Sequence, residues 1–214
     1  MKYKRFPLGS LWTNTYLLWD DGGAAFLVDP AGELSEVRSF LSKNGLSLKE
    51  VLLTHGHLDH VEGLEEALSI TGGSARMSSR DASLVKNPDT GVRAWMGTDF
   101  AGTDKLLFLQ DGDRLSVGTM DIEVIATPGH TPGCVCYLVT DGDDQLLLSG
   151  DTLFASSVGR TDLPGGDHAL LEESLLRLAR LPDSLPVLPG HGPETTIGAE
   201  KRENPFWPTR ERYF

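Results

Sequence analysis

The sequence predicts an α/β fold in which two sheets pack face to face and helices cover their outer faces. Short apolar strand patterns occur in both halves of the 214-residue chain, and amphipathic helix patterns follow them in each half. The chain contains no repeat, low-complexity tract or linker, and its length suits one core better than two. We therefore predict a single domain over residues 1–214.

The first half of the chain is predicted to begin with a hairpin. Apolar residues at 15–19 and 24–28 flank a turn of two aspartates and two glycines at 20–23. Apolar residues at helical spacing over 34–41 stop near Gly45, and glycine commonly ends helices. We expect an antiparallel pair of strands followed by a helix.

A polar cluster follows the next predicted strand, residues 50–53. It reads Thr-His-Gly-His-Leu-Asp-His over residues 54–60, and an apolar stripe of Val61, Leu64 and Leu68 predicts a helix after it. The cluster therefore lies in a strand-to-helix loop, with its last two residues on the first turn of the helix.

Strand and turn signals dominate the second half of the chain. Apolar runs are separated by turns rich in glycine, proline and aspartate, and an amphipathic helix pattern begins near Asp167. These signals indicate a mixed sheet system. The predicted strands of this half are residues 106–109, 122–126, 135–139, 146–149 and 186–188.

Composition argues against several classes of function. The chain has 19 Lys and Arg residues against 31 Asp and Glu, a net charge of -12 and a pI near 4.8, so it would repel a nucleic-acid backbone. No stretch resembles a secretory signal or a membrane span. The two cysteines, Cys134 and Cys136, are expected to be strand residues rather than metal ligands. We expect a cytoplasmic protein without nucleic-acid or membrane partners.

Four potential metal ligands fall within six positions of the polar cluster: His55, His57, Asp59 and His60. Imidazole and carboxylate are ligands for zinc, iron and manganese, and Gly56 lets the backbone bend so that the two flanking rings converge. Without a metal, so many polar groups in one loop would crowd each other for no gain. We predict that His55 and His57 share one ion and that Asp59 and His60 face a second.

Three more candidate ligands, His130, Asp151 and His191, each follow an apolar strand and a glycine. A strand holds such a ligand rigidly, and the glycine lets the backbone approach an ion closely. Taken singly, each also has an ordinary interpretation as a solvated histidine or a turn aspartate. Two three-ligand sets bridged by one carboxylate would leave room between the ions for an activated water.

Five short motifs, spread over nearly the whole chain, carry a family resemblance. They are Asp29-Pro30, Thr54 to His60, Pro128-Gly129-His130-Thr131, Ser149-Gly150-Asp151-Thr152-Leu153-Phe154 and Pro189-Gly190-His191-Gly192. In this order they resemble the metallo-β-lactamase superfamily and, within it, the short glyoxalase II-like hydrolases. The resemblance implies a four-layer αββα sandwich with the metals at one edge of the two sheets.

The resemblance also assigns the seven candidate ligands to two divalent ions. Asp151 would bridge the ions, and Asp29 would support the metal loop without binding either ion. Zinc is favoured, with iron and manganese as alternatives. The other ligands divide into one set of His55, His57 and His130 and another of Asp59, His60 and His191.

The reaction implied by the resemblance is the hydrolysis of a thioester, typically S-D-lactoylglutathione. A hydroxide bridging the metals would attack the thioester carbonyl, and Asp59 would orient that hydroxide, so Asp59 is a catalytic candidate as well as a ligand. The expected partner is therefore a small-molecule thioester, with glutathione-derived thioesters as the leading candidates. The bridging Asp151 makes β-lactam hydrolysis the less favoured reaction.

Two features depart from full-length glyoxalase II. Only 23 residues follow His191, so the C-terminal helical domain that helps to bind glutathione is expected to be absent. Arg160 lies where the family places a basic residue that contacts glutathione. An ion pair with Asp162 is the alternative interpretation of that arginine.

Two other functions fit the same residues. Persulfide dioxygenases share the fold and hold one iron through two histidines and an aspartate, here His55, His130 and Asp151. A non-catalytic binding module on the same scaffold is the second alternative. Metal analysis, combined with oxygen-uptake and thioester assays, would separate these functions.

Overall fold

The first of two large sheets is built from the N-terminal half of the chain in a computed structural model, which describes residues 1–208. Residues 209–214, the end of the predicted domain, lie outside the described residues. The six strands of this sheet are β1 (Lys2–Leu8), β2 (Thr13–Trp19), β3 (Ala24–Val28), β4 (Ser47–Leu52), β5 (Ala75–Ser78) and β6 (Leu106–Leu109). They lie in chain order, antiparallel from β1 to β3 and parallel from β3 to β6.

The second sheet is built from later strands of the chain. They are β7 (Arg114–Val117), β8 (Met120–Ala126), β9 (Val135–Asp141), β10 (Asp144–Gly150), β13 (Pro186–Pro189) and β14 (Thr195–Thr196), while β11 (Leu153–Phe154) and β12 (Ser157–Val158) form a small separate hairpin. The order across the sheet is β14-β13-β10-β9-β8-β7, and only the β10 and β13 pair is parallel among these described strands. Both sheets are thus mixed, as predicted.

Within residues 1–208, six α-helices lie outside the sheets. They are α1 (Ser35–Asn44), α2 (Leu64–Thr71), α3 (Ala82–Lys86), α4 (Thr90–Met96), α5 (His168–Leu178) and α6 (Ile197–Glu203). The first of them ends at Gly45, whose φ of 62° is left-handed, a conformation that glycine adopts without strain. No helix within residues 1–208 combines the length and the apolarity needed to cross a membrane.

The strands bury side chains on both faces because each sheet lies between the other sheet and helices. In β2, Leu18 packs in the core between the sheets, whereas its neighbour Leu17 points outward and packs with residues of α1 and α2. The second sheet repeats this pattern, since Tyr137 faces the first sheet and Cys136 faces α5. The fold is therefore the predicted αββα sandwich.

The segment after the polar cluster differs from the sequence prediction. Asp59 and His60 lie in a three-residue 3-10 turn, Leu58–His60, and α2 begins only at Leu64. The Gly63 N–H donates to the carbonyl of Pro30 at 2.8 Å, and this contact keeps the 3-10 turn and α2 from forming one continuous helix. A side chain at Gly63 would collide with the backbone of Gly32.

Candidate metal centre

The loops that carry the predicted ligands meet at one edge of the sandwich. His55 follows β4, His130 follows β8, Asp151 follows β10 and His191 follows β13. Most of the seven predicted ligands are buried, and His55 and His60 are fully buried. All seven predicted ligands therefore come together, although they span almost 140 positions of the chain.

Three histidines form the first set of converging nitrogens. His57 Nδ1 lies 3.1 Å from His55 Nε2 and 2.9 Å from His130 Nε2. Nitrogen lone pairs at this spacing repel each other unless a proton or a cation lies between them. This set is one of the groups in the described chain with the spacing required to hold an ion.

The outer ring nitrogens of this set are fixed by hydrogen bonds. His130 Nδ1 lies 2.7 Å from the backbone carbonyl of Arg160, which only accepts, so Nδ1 carries the proton and Nε2 keeps its lone pair. His55 Nδ1 lies 3.1 Å from Thr54 Oγ1, whose hydroxyl donates to Asp29. Both inner nitrogens are thereby oriented toward the centre as lone-pair donors.

A second set is formed by Asp59, His60 and His191. Asp59 Oδ2 lies 3.3 Å from His191 Nε2 and 3.5 Å from His60 Nε2. The Thr13 hydroxyl donates to the same carboxylate oxygen at 3.0 Å and so restricts its orientation. These three residues also have the spacing of an ion site.

Asp151 lies between the two sets. Its Oδ1 is 3.3 Å from His60 Nε2, and its Oδ2 is 3.5 Å from His130 Nε2 and 3.6 Å from His191 Nε2. Within residues 1–208, the buried atoms His60 Nε2 and Asp151 Oδ1 have no partner in hydrogen-bond geometry, a costly state for polar groups in a protein interior. A bound cation would satisfy both atoms, so the residues fit divalent metals of the zinc, iron and manganese type.

The electrostatics of the two sets differ. Burial, with His130 beside it, lowers the pKa of His57 to about 4, so this imidazole is neutral at pH 7 and can donate a lone pair. Burial also lowers the pKa of His55 well below its ordinary value. Burial also opposes a charge on His60, but the carboxylates of Asp151 and Asp59 outweigh it and hold the His60 pKa well above its ordinary value. The second set therefore favours a positive charge at its centre.

Asp29 contacts the cluster from behind. Its Oδ1 accepts from the Thr54 N–H at 2.8 Å, and its Oδ2 lies 2.6 Å from the Thr54 hydroxyl and 2.9 Å from His60 Nδ1. Asp29, His55 and His60 also have ion-site spacing. However, both oxygens of Asp29 already accept hydrogen bonds from protein donors, so the Asp29 carboxylate does not need an ion to satisfy it.

The comparisons with known proteins agree with this geometry. Residues 11–191 match the family described as the Metallo-beta-lactamase superfamily. The chain belongs to this superfamily. Hydroxyacylglutathione hydrolase GloC of Haemophilus influenzae is 34% identical over 209 residues, which cover 96% of this chain and 98% of GloC. The probable metallo-hydrolase YqgX of Bacillus subtilis is 34% identical over 208 residues, 96% of this chain and 97% of YqgX.

Solved structures confirm the predicted metallo-β-lactamase fold. BLEG-1 B3 metallo-β-lactamase superposes with a TM-score of 0.87 at 35% identity and covers 97% of this chain and 100% of its own. TTHA1623 in a di-iron-bound form has a TM-score of 0.84 at 37% identity, with 95% and 99% covered. ETHE1 from Myxococcus xanthus has a TM-score of 0.77 at 31% identity, with 96% and 84% covered.

Arg160 of this superfamily member is engaged within its own loop. Its guanidinium donates two hydrogen bonds of 2.7 Å to the carboxylate of Asp162, and both side chains are exposed. The ion pair considered as the alternative interpretation is therefore present. The backbone carbonyl of Arg160 also orients His130, a role that sequence reasoning did not foresee.

A cavity of about 940 Å³ opens over the metal centre. Residues from both ligand sets lie in its floor, including His57, Asp59, His130, Asp151 and His191. This volume is within the usual range for small-molecule sites. These five proposed ligands can therefore reach a bound small molecule.

Asp81 is a buried residue of the site that sequence reasoning missed. Its Oδ2 accepts from the Gly56 N–H at 3.0 Å and from the Thr131 hydroxyl at 2.6 Å, and its Oδ1 accepts from the Gly133 N–H at 2.7 Å. One carboxylate thus joins the loop of His55 to that of His130. Asp81 lies directly before α3, so its sequence position suggests a helix cap, but its side chain makes no cap hydrogen bond.

Replacement of Asp81 by alanine is expected to destabilise the fold. Three buried donors would lose their acceptor at a cost of about 1 kcal/mol or more each, so we expect a loss of about 3 kcal/mol. Urea denaturation of the purified variant measures this change. An unchanged denaturation midpoint would show that water replaces the carboxylate, contrary to this account of how the two loops are joined.

Proposed function

We propose that this chain is a metal-dependent thioester hydrolase that acts on S-lactoylglutathione or a related small thioester. The observation that carries the proposal is the position of Asp151, which lies between two ligand sets in the floor of a cavity. The similarity to GloC along nearly the whole length of both chains supports this choice of substrate.

We further propose that the two sets hold two divalent ions, with Asp151 shared between them. Zinc remains the favoured metal, and the di-iron form of TTHA1623 makes iron a serious alternative beside manganese. Bound ions would polarise the thioester carbonyl and supply a water nucleophile at neutral pH. The proposed ligands are His55, His57 and His130 for one ion, Asp59, His60 and His191 for the other, and Asp151 for both.

The residues of the chain would act around the scissile bond as follows. Water adds to the carbonyl carbon, the carbon–sulfur bond breaks, and the leaving sulfur takes up the proton, which gives an acid and a thiol. Asp59 faces the cavity with its carboxylate restrained by Thr13, and we assign it the task of orienting the attacking water. Asp29 and Asp81 keep the histidine loops in place from behind.

The iron-dependent dioxygenase alternative would use part of the same set of residues. It requires an ion held by His55, His130 and Asp151. However, His57 Nδ1 lies within 3.1 Å of the inner nitrogens of both histidines, so a third imidazole is already part of that set. The number and identity of the bound ions, rather than the position of His57, therefore separate the two functions.

Metal removal and reconstitution test the proposed function. Chelator-treated protein is expected to be inactive and to melt at a lower temperature, because a ligand present at 1,000 times its Kd stabilises the fold by about 4 kcal/mol. Reloading with zinc, iron or manganese should restore about two ions per chain, the melting temperature, and hydrolysis of S-lactoylglutathione or another thioester.

Other outcomes of the same experiment would contradict the proposal. One iron per chain together with oxygen uptake on glutathione persulfide would favour the dioxygenase. Two ions without turnover of any thioester would favour a binding module. Protein treated in the same way and reloaded with magnesium, which prefers oxygen ligands, serves as the control for nonspecific effects of the treatment.

A further inference from the structure

One wall of the cavity over the metal centre is apolar. It is formed largely by α3, α4 and the segment between them, and its side chains include Leu84, Val92, Trp95 and Met96. Trp95 is 72% exposed, and α4 has no buried residue. The exposed tryptophan of this short helix lies beside the metal centre. It therefore provides a surface on which an apolar group could be buried.

The apolar side chains of this wall extend up to the proposed metal ligands. Leu58 lies in the cavity lining between His57 and Asp59 and belongs to the same 3-10 turn as Asp59. Leu163 and Phe154 line the same cavity on the chain that follows Asp151. A molecule whose scissile group reached the metal centre would therefore place its adjoining atoms against apolar side chains.

Apart from the metal centre, the lining of the cavity offers few cationic side chains to an anionic substrate. Among the described residues that line it, Arg160 is the one lysine or arginine, and Asp162 already neutralises it through two hydrogen bonds. Asp89 also lines the cavity, and the whole chain carries a net charge of -12. Glutathione carries two carboxylates at neutral pH, and neither finds an unpaired lysine or arginine among these lining residues.

We infer that the site prefers thioesters whose group next to the scissile bond is apolar and uncharged, such as a medium-length acyl chain or a neutral alkyl thiol. This inference rests on the proposed thioester hydrolysis and specifies its substrate class. Trp95 is assigned as a residue that determines specificity by contacting the apolar group.

Two matched substrate series test the preference. In the first, acyl groups from acetyl to octanoyl are joined to the neutral thiol N-acetylcysteamine. In the second, one acyl group is joined to thiols of increasing alkyl length. We expect kcat/KM of the metal-loaded protein to rise roughly two- to fourfold per methylene in one series, since each buried methylene contributes at about this level. S-lactoylglutathione should be hydrolysed more slowly than the longer neutral thioesters.

A variant and a binding measurement locate the effect at the wall. Trp95→Ala is expected to flatten the dependence of kcat/KM on chain length, because the longer thioesters lose the apolar contact that favours them. Phe108→Ala, which removes an exposed aromatic ring from β6 that does not line the cavity, is the matched control and should keep the full dependence. Calorimetry with non-hydrolysable S-alkyl thioethers of N-acetylcysteamine should show tighter binding with length in the unmodified protein and not in Trp95→Ala.

These experiments separate failure of the substrate preference from failure of the proposed thioester hydrolysis. If thioesters are hydrolysed but S-lactoylglutathione is preferred, or chain length has no effect, the inference is overturned and the hydrolase stands. If Trp95→Ala keeps the full dependence in both kinetics and calorimetry, the assigned wall is wrong. If no thioester is hydrolysed by the metal-loaded protein, both proposals fail.

Discussion

Replacement of Asp151 by asparagine is expected to lower kcat/KM for thioester hydrolysis by at least ~100-fold and to reduce the number of bound ions. The carboxylate oxygens of Asp151 approach the inner nitrogens of both ligand sets, at 3.3 Å from His60 Nε2 and 3.5 Å from His130 Nε2. An amide carries no charge and would offer only one oxygen in place of a shared carboxylate. Metal quantification and steady-state kinetics on the same preparation measure the two effects.

Two further variants test whether the loss of activity and bound ions is specific to Asp151. Asp29→Asn removes a contact behind His60 rather than a shared ligand, so we expect the smaller loss of about 10- to 100-fold that is typical of such partners. Asp143→Asn changes an exposed turn residue at the opposite end of β10 and should have no effect. Equal losses in Asp151→Asn and Asp29→Asn would contradict the central position given to Asp151.

The proposed ligands could be selected from the sequence because local spacing and chemistry are sufficient to suggest them. Histidines separated by one glycine, and single polar residues at strand ends, are visible without knowledge of the fold. The same reasoning predicted the hairpin of β2 and β3, and their antiparallel pairing agrees with it. These features depend on neighbours in the chain.

Other parts of the site depend on contacts between distant segments and could not be predicted in this way. The role of Asp81 arises because Gly56 and Gly133 approach it from positions 25 and 52 residues away. β1 carries three charged residues, Lys2, Lys4 and Arg5, as is typical of a solvated edge strand, so it lacked the apolar signal used to recognise the other strands. The apolar wall likewise forms only when α4 is placed beside the metal loops.

Gly159→Ala is expected to lower the activity and the metal content of the protein, although Gly159 is not a proposed ligand. A Cβ at this position would lie 1.9 Å from the backbone oxygen of Asp151 and 3.0 Å from His130 Cβ. Contacts between non-bonded atoms are favourable only near 3.5–4.0 Å, so the backbone beneath two proposed ligands must move by about 1 Å or more. A displacement of this size can lower kcat/KM by about 100-fold, and overpacking typically costs about 1–3 kcal/mol of stability. Kinetics, metal content and urea denaturation measure these effects.

Gly73→Ala is the matched control because it is the same exchange in the loop after α2, where the nearest atom, Thr71 Oγ1, lies 3.7 Å away. It should leave activity and metal content unchanged. If Gly159→Ala also retained both, the loop after β12 would have to be free to move away from Asp151. That outcome would contradict the close packing of this loop against the ligands, because His130 Nδ1 is held by the carbonyl of the very next residue, Arg160. The position of the first ligand set therefore depends on a glycine at 159 as well as on the histidines themselves.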